Sequence, residues 1–180
     1  MKPATLFLQY LESLFQKEAE IIKSDLEGDG IIAPSILIFN NVPKEGHMTA
    51  ITYGLSLANH DAWMLNRKPE LVLTIDTLDK DYALAIANLV ATSRGLVPYL
   101  YGSQINTGKI FKNSNVSGFV IFAPKTISRE FFLDIDVGLD YKICLNGIYP
   151  ITDGESEIIK MIGFENFWKD DNFNLTTFRK

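Results

Sequence analysis

Hydrophobic positions at the start of the chain fall on a helical period. Leu8, Leu11, Phe15, Ala19 and Ile22 recur at three- and four-residue spacing, with Gln9, Glu12, Gln16, Lys17 and Glu20 between them. The spacing predicts a helix over residues 5–23, ending before the turn-rich Glu27-Gly28-Asp29-Gly30. The pattern then shortens to that of strands. Ser35-Ile36-Leu37-Ile38-Phe39 is apolar and β-branched, and Asn40-Asn41-Val42-Pro43 stops it. Residues 47–56 alternate: Thr49, Ile51, Tyr53 and Leu55 form the bulkier set and are expected to face the core, with Met48, Ala50, Thr52 and Gly54 opposite. A polar loop over residues 59–68 leads into the strand Glu70-Leu71-Val72-Leu73-Thr74-Ile75-Asp76.

The clearest helix is predicted over residues 80–93. Tyr82, Ile86, Leu89 and Val90 share a face beside Ala83, Ala87 and Ala91, Asp79 is placed as N-cap, and Gly95 as the stop. Residues 96–115 read as a long loop turning at Gly102, Asn106, Gly108 and Asn113. Gly118-Phe119-Val120-Ile121-Phe122 is a further strand closed by Ala123-Pro124. Residues 131–137 alternate as a strand with one wet side, and residues 141–149 form the last strand, ended by Pro150. Thr152-Asp153-Gly154-Glu155 has capping-box spacing and opens a helix to about Ile162, stopped by Gly163. The aromatic tail over residues 164–180, with Phe164, Phe167, Trp168, Phe173 and Phe178, is expected to fold back onto the body. Strands succeed one another without a helix between each pair, so the fold class is α/β in the α+β sense. A mixed, mainly antiparallel sheet flanked by helices is expected, in one domain over residues 1–180.

Composition narrows the functional classes. The 180 residues suit a single domain and can bury enough surface to fold without a metal or disulfide staple. With 17 Lys+Arg against 22 Asp+Glu the net charge is -5, which disfavours nucleic acid as a partner. No apolar run reaches the ~20 residues that span a bilayer, and the first residues lack the pattern of a signal peptide, so no membrane is expected and a cytoplasmic location is. The single cysteine, Cys144, excludes an intramolecular disulfide and a Cys-rich zinc site. Its apolar setting, Tyr141-Lys142-Ile143-Cys144-Leu145, reads as core.

Candidate chemistry is sparse. There are two histidines, His47 and His60, and no G-x-S-x-G elbow. His47 reads as a strand-edge hydrogen-bonding residue and His60 as solvated. Asp76, Asp79 and Asp81 surround a strand-to-helix turn without EF-hand spacing, so capping accounts for them. Asp134 and Asp136 are expected to share one strand face, and a two-carboxylate hydrolase could be built on such a pair. Gly28-Asp29-Gly30 lacks the third glycine and preceding strand of a dinucleotide site, and no Walker pattern is present. The loop over residues 102–108 is polar enough to bind something or to be a plain turn.

From Tyr53-Gly54-Leu55-Ser56 and Glu70-Leu71-Val72-Leu73 onward the sequence resembles the suppressor-of-fused (SUFU-like) domain family. A helix over residues 83–94, a loop with Gly102 and Asn106, the Gly118–Phe122 strand and Tyr149-Pro150-Ile151-Thr152 come next in the family's order, so the likeness spans residues 36–162. The resemblance implies a mixed α/β sandwich-like domain without catalysis or cofactor. It gives His47, Tyr53, Gly54, Ser56 and Glu70 structural roles in the sheet and its turns. Animal members sequester a transcription factor with the help of a second domain, for which this chain has no room. Compact single-domain members look bacterial, and many are similar to immunity proteins that bind and block a cognate toxin. That is the first functional expectation, with a basic toxin as partner and Asp61, Trp63, Asn66, Tyr101, Gln104 and Asn106 as candidate contacts. A regulatory module that sequesters a protein or peptide is the alternative, and an enzyme using Asp76, Asp134 or Asp136 the third.

Overall fold

A computed structural model describes residues 2–24, 31–112, 114–170, 174, 176 and 177. Its frame is a seven-stranded sheet. The strands are β1 (Glu20–Lys23), β2 (Ser35–Asn40), β3 (Met48–Tyr53), β4 (Arg67–Ile75), β5 (Gln104–Asn106), β6 (Val116–Phe122) and β7 (Lys142–Thr152). They lie in the order β1-β2-β3-β4-β7-β6-β5. β4 and β7 run parallel, and every other neighbouring pair is antiparallel. The expected mixed, mainly antiparallel sheet is therefore present.

Both faces of the sheet are covered, which explains why Ile36-Leu37-Ile38-Phe39 is a continuous apolar run. Ile36, Ile38, Met48, Ala50, Leu71 and Leu73 pack under α2 (Asp81–Ser93), through its Tyr82, Ala83, Ile86, Ala87 and Val90. Leu37, Phe39, Ile51, Val72, Ile143 and Leu145 pack under Phe7 and Leu11 of α1 (Pro3–Phe15) and under Phe132, Ile135 and Val137. A third cluster joins Val120, Tyr149 and Ile151 to Ile159 of α4 (Asp153–Ile162) and Phe167 of α5 (Phe164–Trp168). At about 1.5–3 kcal/mol per fully buried large side chain, these clusters dominate the favourable side of folding. Two-sided coverage also corrects the expectation for residues 47–56: Met48 and Ala50 are as buried as Ile51.

Several elements depart from their sequence pattern. The first helix stops at Phe15, eight residues short of the expected end. Gln16 adopts a left-handed conformation with its N–H on the Glu12 carbonyl, and the Glu12 carboxylate takes the Ala19 N–H at 3.1 Å. This frees Glu20–Lys23 to pair with the edge of β2. β4 begins at Arg67, inside the expected polar loop. Lys80 rather than Asp79 is the α2 N-cap, and Asp79 instead closes a local turn by accepting the Asp81 N–H at 3.0 Å. β5 lies within the expected long loop.

Residues 131–137 do not form a strand. Arg129–Phe132 make a helical turn, α3, and left-handed Asp134 breaks the extended course of the chain after it, so only Ile135 bridges to Ile143. Pro150 does not end β7. Pairing to β4 runs only from Lys142 to Gly147, so Pro150 lies where β7 has β6 on one side. The capping box is as expected: Thr152 Oγ1 accepts from the Glu155 N–H, and Glu155 Oε2 from the Thr152 N–H. Phe164, Phe167 and Trp168 fold back onto the same chain. The expected turns at residues 27–30 and 113, and Phe173 and Phe178 of the tail, lie outside the described residues. Among those that are described, no helix is long and apolar enough to cross a membrane.

Candidate functional site

The motif carried by β3 and β4 converges on one buried carboxylate. β3 ends at Tyr53 and the chain turns at Gly54, where a φ of +136° and the 2.9 Å that would separate an added Cβ from the Pro34 Cα exclude a side chain. Glu70, fully buried on β4, accepts five hydrogen bonds from the end of β3 and from the turn. Thr52 Oγ1 (2.6 Å) and the Leu55 N–H (3.3 Å) reach Oε2. The N–H groups of Gly54 (2.8 Å) and Ser56 (3.0 Å) and Ser56 Oγ (2.7 Å) reach Oε1. Burial pushes the carboxyl above its ordinary range, and the bonds from Thr52, Gly54 and Ser56 pull it back. Arg94, also buried, locks the other side of the turn by donating to the carbonyls of Gly54, Ile32 and Ile31.

Tyr53 braces the same region, whereas His47 lies at the opposite end of β3. The Tyr53 ring packs 5.5 Å from Phe7, and burial raises its hydroxyl to about 12. His47 joins the turn before β3, its Nδ1 lying 3.4 Å from the Glu45 carbonyl. His60 accepts the Ala62 N–H at 3.0 Å. With its donors spent on a sealed carboxylate, the Glu70 cluster holds two strands and a turn in place.

A surface site lies beside it. β6 pairs with β7 only as far as Gly147, and the chain leaves the sheet at Ala123-Pro124. The first half of β7 therefore borders a groove of about 760 Å³. Trp63, Pro98, Leu100 and Tyr101 line it on one side, Ile127, Phe132 and Leu133 on the other, and Cys144 and Asn146 of β7 also contribute.

Specific bonds hold these walls. Trp63 Nε1 donates to the Pro98 carbonyl at 2.7 Å, and Asn146 Nδ2 to the Tyr99 carbonyl at 2.9 Å. The left-handed, buried Tyr99 anchors the loop from beneath through a 2.5 Å bond to Ser93 Oγ, and burial raises its hydroxyl to about 12. Arg67 reaches Asp134 from Nε and Nη2 at 2.9 and 2.6 Å, tying the start of β4 to the segment after α3. Tyr149 OH, between the Lys125 N–H and the Ala123 carbonyl, fixes where the chain departs. Burial raises the Cys144 thiol to about 11.

Of the candidate contacts, Trp63 and Tyr101 both line this groove, and Asp61 and Asn66 are exposed on the loop that carries Trp63. Gln104 and Asn106 lie apart, on edge strand β5. Gln104 accepts from Ser156 Oγ, and Asn106 from the Gly108 N–H. The acids considered for hydrolysis do not form a facing pair: Asp134 holds Arg67, while Asp136 holds Lys142 and the Gly138 N–H. Among the described residues, no three His, Cys, Asp or Glu side chains gather as a metal ion would require. Arg67, Arg129 and Asn146 carry no motif in the sequence that marks them for this site. A polar loop that nevertheless holds Trp63-Met64-Leu65 is the signal that could have drawn attention to this face.

No protein-family model matches the chain, and neither does any curated protein. Solved structures do. The chain superposes on a SUFU (suppressor of fused protein) homologue from Neisseria gonorrhoeae with a TM-score of 0.70 and 14% identity, over 91% of this chain and 85% of that one. It superposes on the Sufu-Fu complex structure with a TM-score of 0.70 and 13% identity, over 99% and 91%. On Drosophila Suppressor of Fused the TM-score is 0.66 and the identity 15%, over 97% of this chain and 49% of that one. The fold is SUFU-like.

Proposed function

We propose that this SUFU-like domain is a non-catalytic protein-binding module, and specifically an immunity protein that binds a cognate toxin and occludes its active surface. The groove lined by Trp63 and Tyr101 carries the reading. It is apolar, hydrogen bonds from Trp63 and Asn146 hold its walls, and it adjoins Met64 and Leu65, which are 61% and 100% exposed. Exposed apolar side chains gathered at one groove are a recurrent mark of a protein interface. A neighbour of the same fold has been solved with a protein partner, the Sufu-Fu complex, which supports the choice of a protein as ligand. The net charge of -5 suits a basic toxin, whose approach it would accelerate. A cytoplasmic location fits a protein that intercepts such a toxin inside the producing cell. A regulatory module that sequesters a partner would use the same groove, and the Sufu-Fu complex favours it as the second reading.

Co-expression tests the proposal. Cells expressing the toxin encoded beside this chain are expected to survive when the chain is present. Leu65→Asp with Tyr101→Ala is expected to weaken toxin binding at least about tenfold, as loss of a central apolar anchor does, with thermal stability unchanged. Survival without any physical complex would overturn the binding mechanism. Stable capture of a non-toxic regulatory protein at the same groove would move the assignment to the second reading.

A further inference from the structure

The groove carries a charge opposite to that of the chain as a whole. Against a net charge of -5, the charged side chains lining it among the described residues are two arginines, Arg67 and Arg129. Arg67 is committed to Asp134. Arg129 opens α3, is exposed, and has no ion-pair partner among the described residues; Glu130, beside it in the chain, does not line the groove. Both guanidinium groups lie close enough to Tyr101 to draw its hydroxyl down against the upward push of burial. The site thus combines an aromatic and aliphatic wall with an exposed cation in its lining.

The shape selects between kinds of occupant. A small-molecule site closes over most of its ligand. This groove is open, and its apolar surface continues outward through Met64 and Leu100, 61% and 44% exposed. An extended apolar surface with one guanidinium suits a polypeptide that brings a carboxylate, because the charge-assisted bond fixes register while the apolar side chain supplies burial.

We propose that the groove takes an acidic, apolar peptide segment of a partner protein, with a bulky apolar side chain entering between Trp63, Tyr101 and Phe132 and an adjacent carboxylate pairing with Arg129. The proposal rests on the reading of the chain as a protein-binding domain and adds the chemistry of the segment recognised. It makes local recognition acidic even where the partner as a whole is basic.

The test is selection of a random twelve-residue peptide library on the full chain. Enriched peptides are expected to pair Asp or Glu with Leu, Phe, Met or Trp. Their affinity should fall about tenfold on Arg129→Glu, and their affinity for the unaltered chain should fall with added salt, since exposed charge pairs are screened. Lys17→Glu, beyond the end of α1, imposes the same change in net charge and should have no effect. Enrichment of basic or uncharged peptides, no enrichment, or binding indifferent to Arg129→Glu would overturn the proposal. So would phenylacetate competing at the peptides' own concentration, which would assign the groove to a small acid. A toxin that binds normally to the Arg129→Glu variant would remove this inference and leave the immunity reading standing. Acidic peptides without any toxin partner would do the reverse.

Discussion

Glu70 concentrates both the cost and the benefit of burying charge in one side chain. Its carboxyl is sealed from water, and five donors from Thr52, Gly54, Leu55 and Ser56 close on it. Glu70→Gln replaces one accepting oxygen with an amide that must face donors, at a cost of about 2–4 kcal/mol at neutral pH. Denaturant titration would read this loss. Its pH dependence has a definite sign. The folded carboxyl titrates above its ordinary value because of burial, so the folded state holds its proton where the unfolded chain has lost it. The advantage of the wild type over Glu70→Gln should therefore grow as the pH falls from neutral toward the ordinary carboxylate value, and shrink as the pH rises. An advantage that instead falls with pH would show that the hydrogen bonds outweigh desolvation. Cys144 gives a second residue-level expectation. With its thiol raised to about 11, roughly a thousandth is thiolate at pH 8. Reaction with a disulfide reagent should be slow in the native protein and fast in denaturant, although the residue borders the groove.

Elements were legible where local chemistry decides them. The capping box at Thr152 and Glu155 is sequence-local and its geometry is as expected; Thr152→Ala should cost about 1 kcal/mol. Hydrogen exchange should show α4 opening more readily in that variant, with the sheet unaffected. A uniform effect across the fold would mean that α4 has no local stability of its own. The first helix misled for a tertiary reason. Ala19 and Ile22 continue its apolar spacing, but Ile22 is drawn to β2 by the vacant sheet edge, and the Glu12 carboxylate turns the chain at Ala19. Residues 131–137 misled in the opposite way. Ile135 and Val137 do alternate with Asp134 and Asp136, yet a left-handed Asp134, pulled toward Arg67, leaves a single bridge where a strand was expected. Pro150 is tolerated inside β7 because β4 has already parted from it, which only the pairing register reveals.

At the scale of the molecule the mixed, mainly antiparallel sheet of a SUFU-like fold was legible, and Trp63 and Tyr101 stood out as aromatic residues on separate loops. The groove itself was not. It arises because β6 leaves β7 at Gly147, bringing residues from three separate loops to the uncovered half of a strand; no window of sequence contains that event. The ends of the sheet have a separate consequence. A seven-stranded sheet is a template on which another copy could grow, strand upon strand, into a fibre. Here the outermost strands are only four and three residues long, β1 carries Glu20 and Lys23, with Glu20 held by Lys80, and β5 presents Gln104 and Asn106. Such short, polar margins give an incoming strand little backbone to match and charge to desolvate. The long apolar runs of β2, β4 and β7 remain interior, so neither edge of the sheet presents the long, flat apolar strand that templates aggregation.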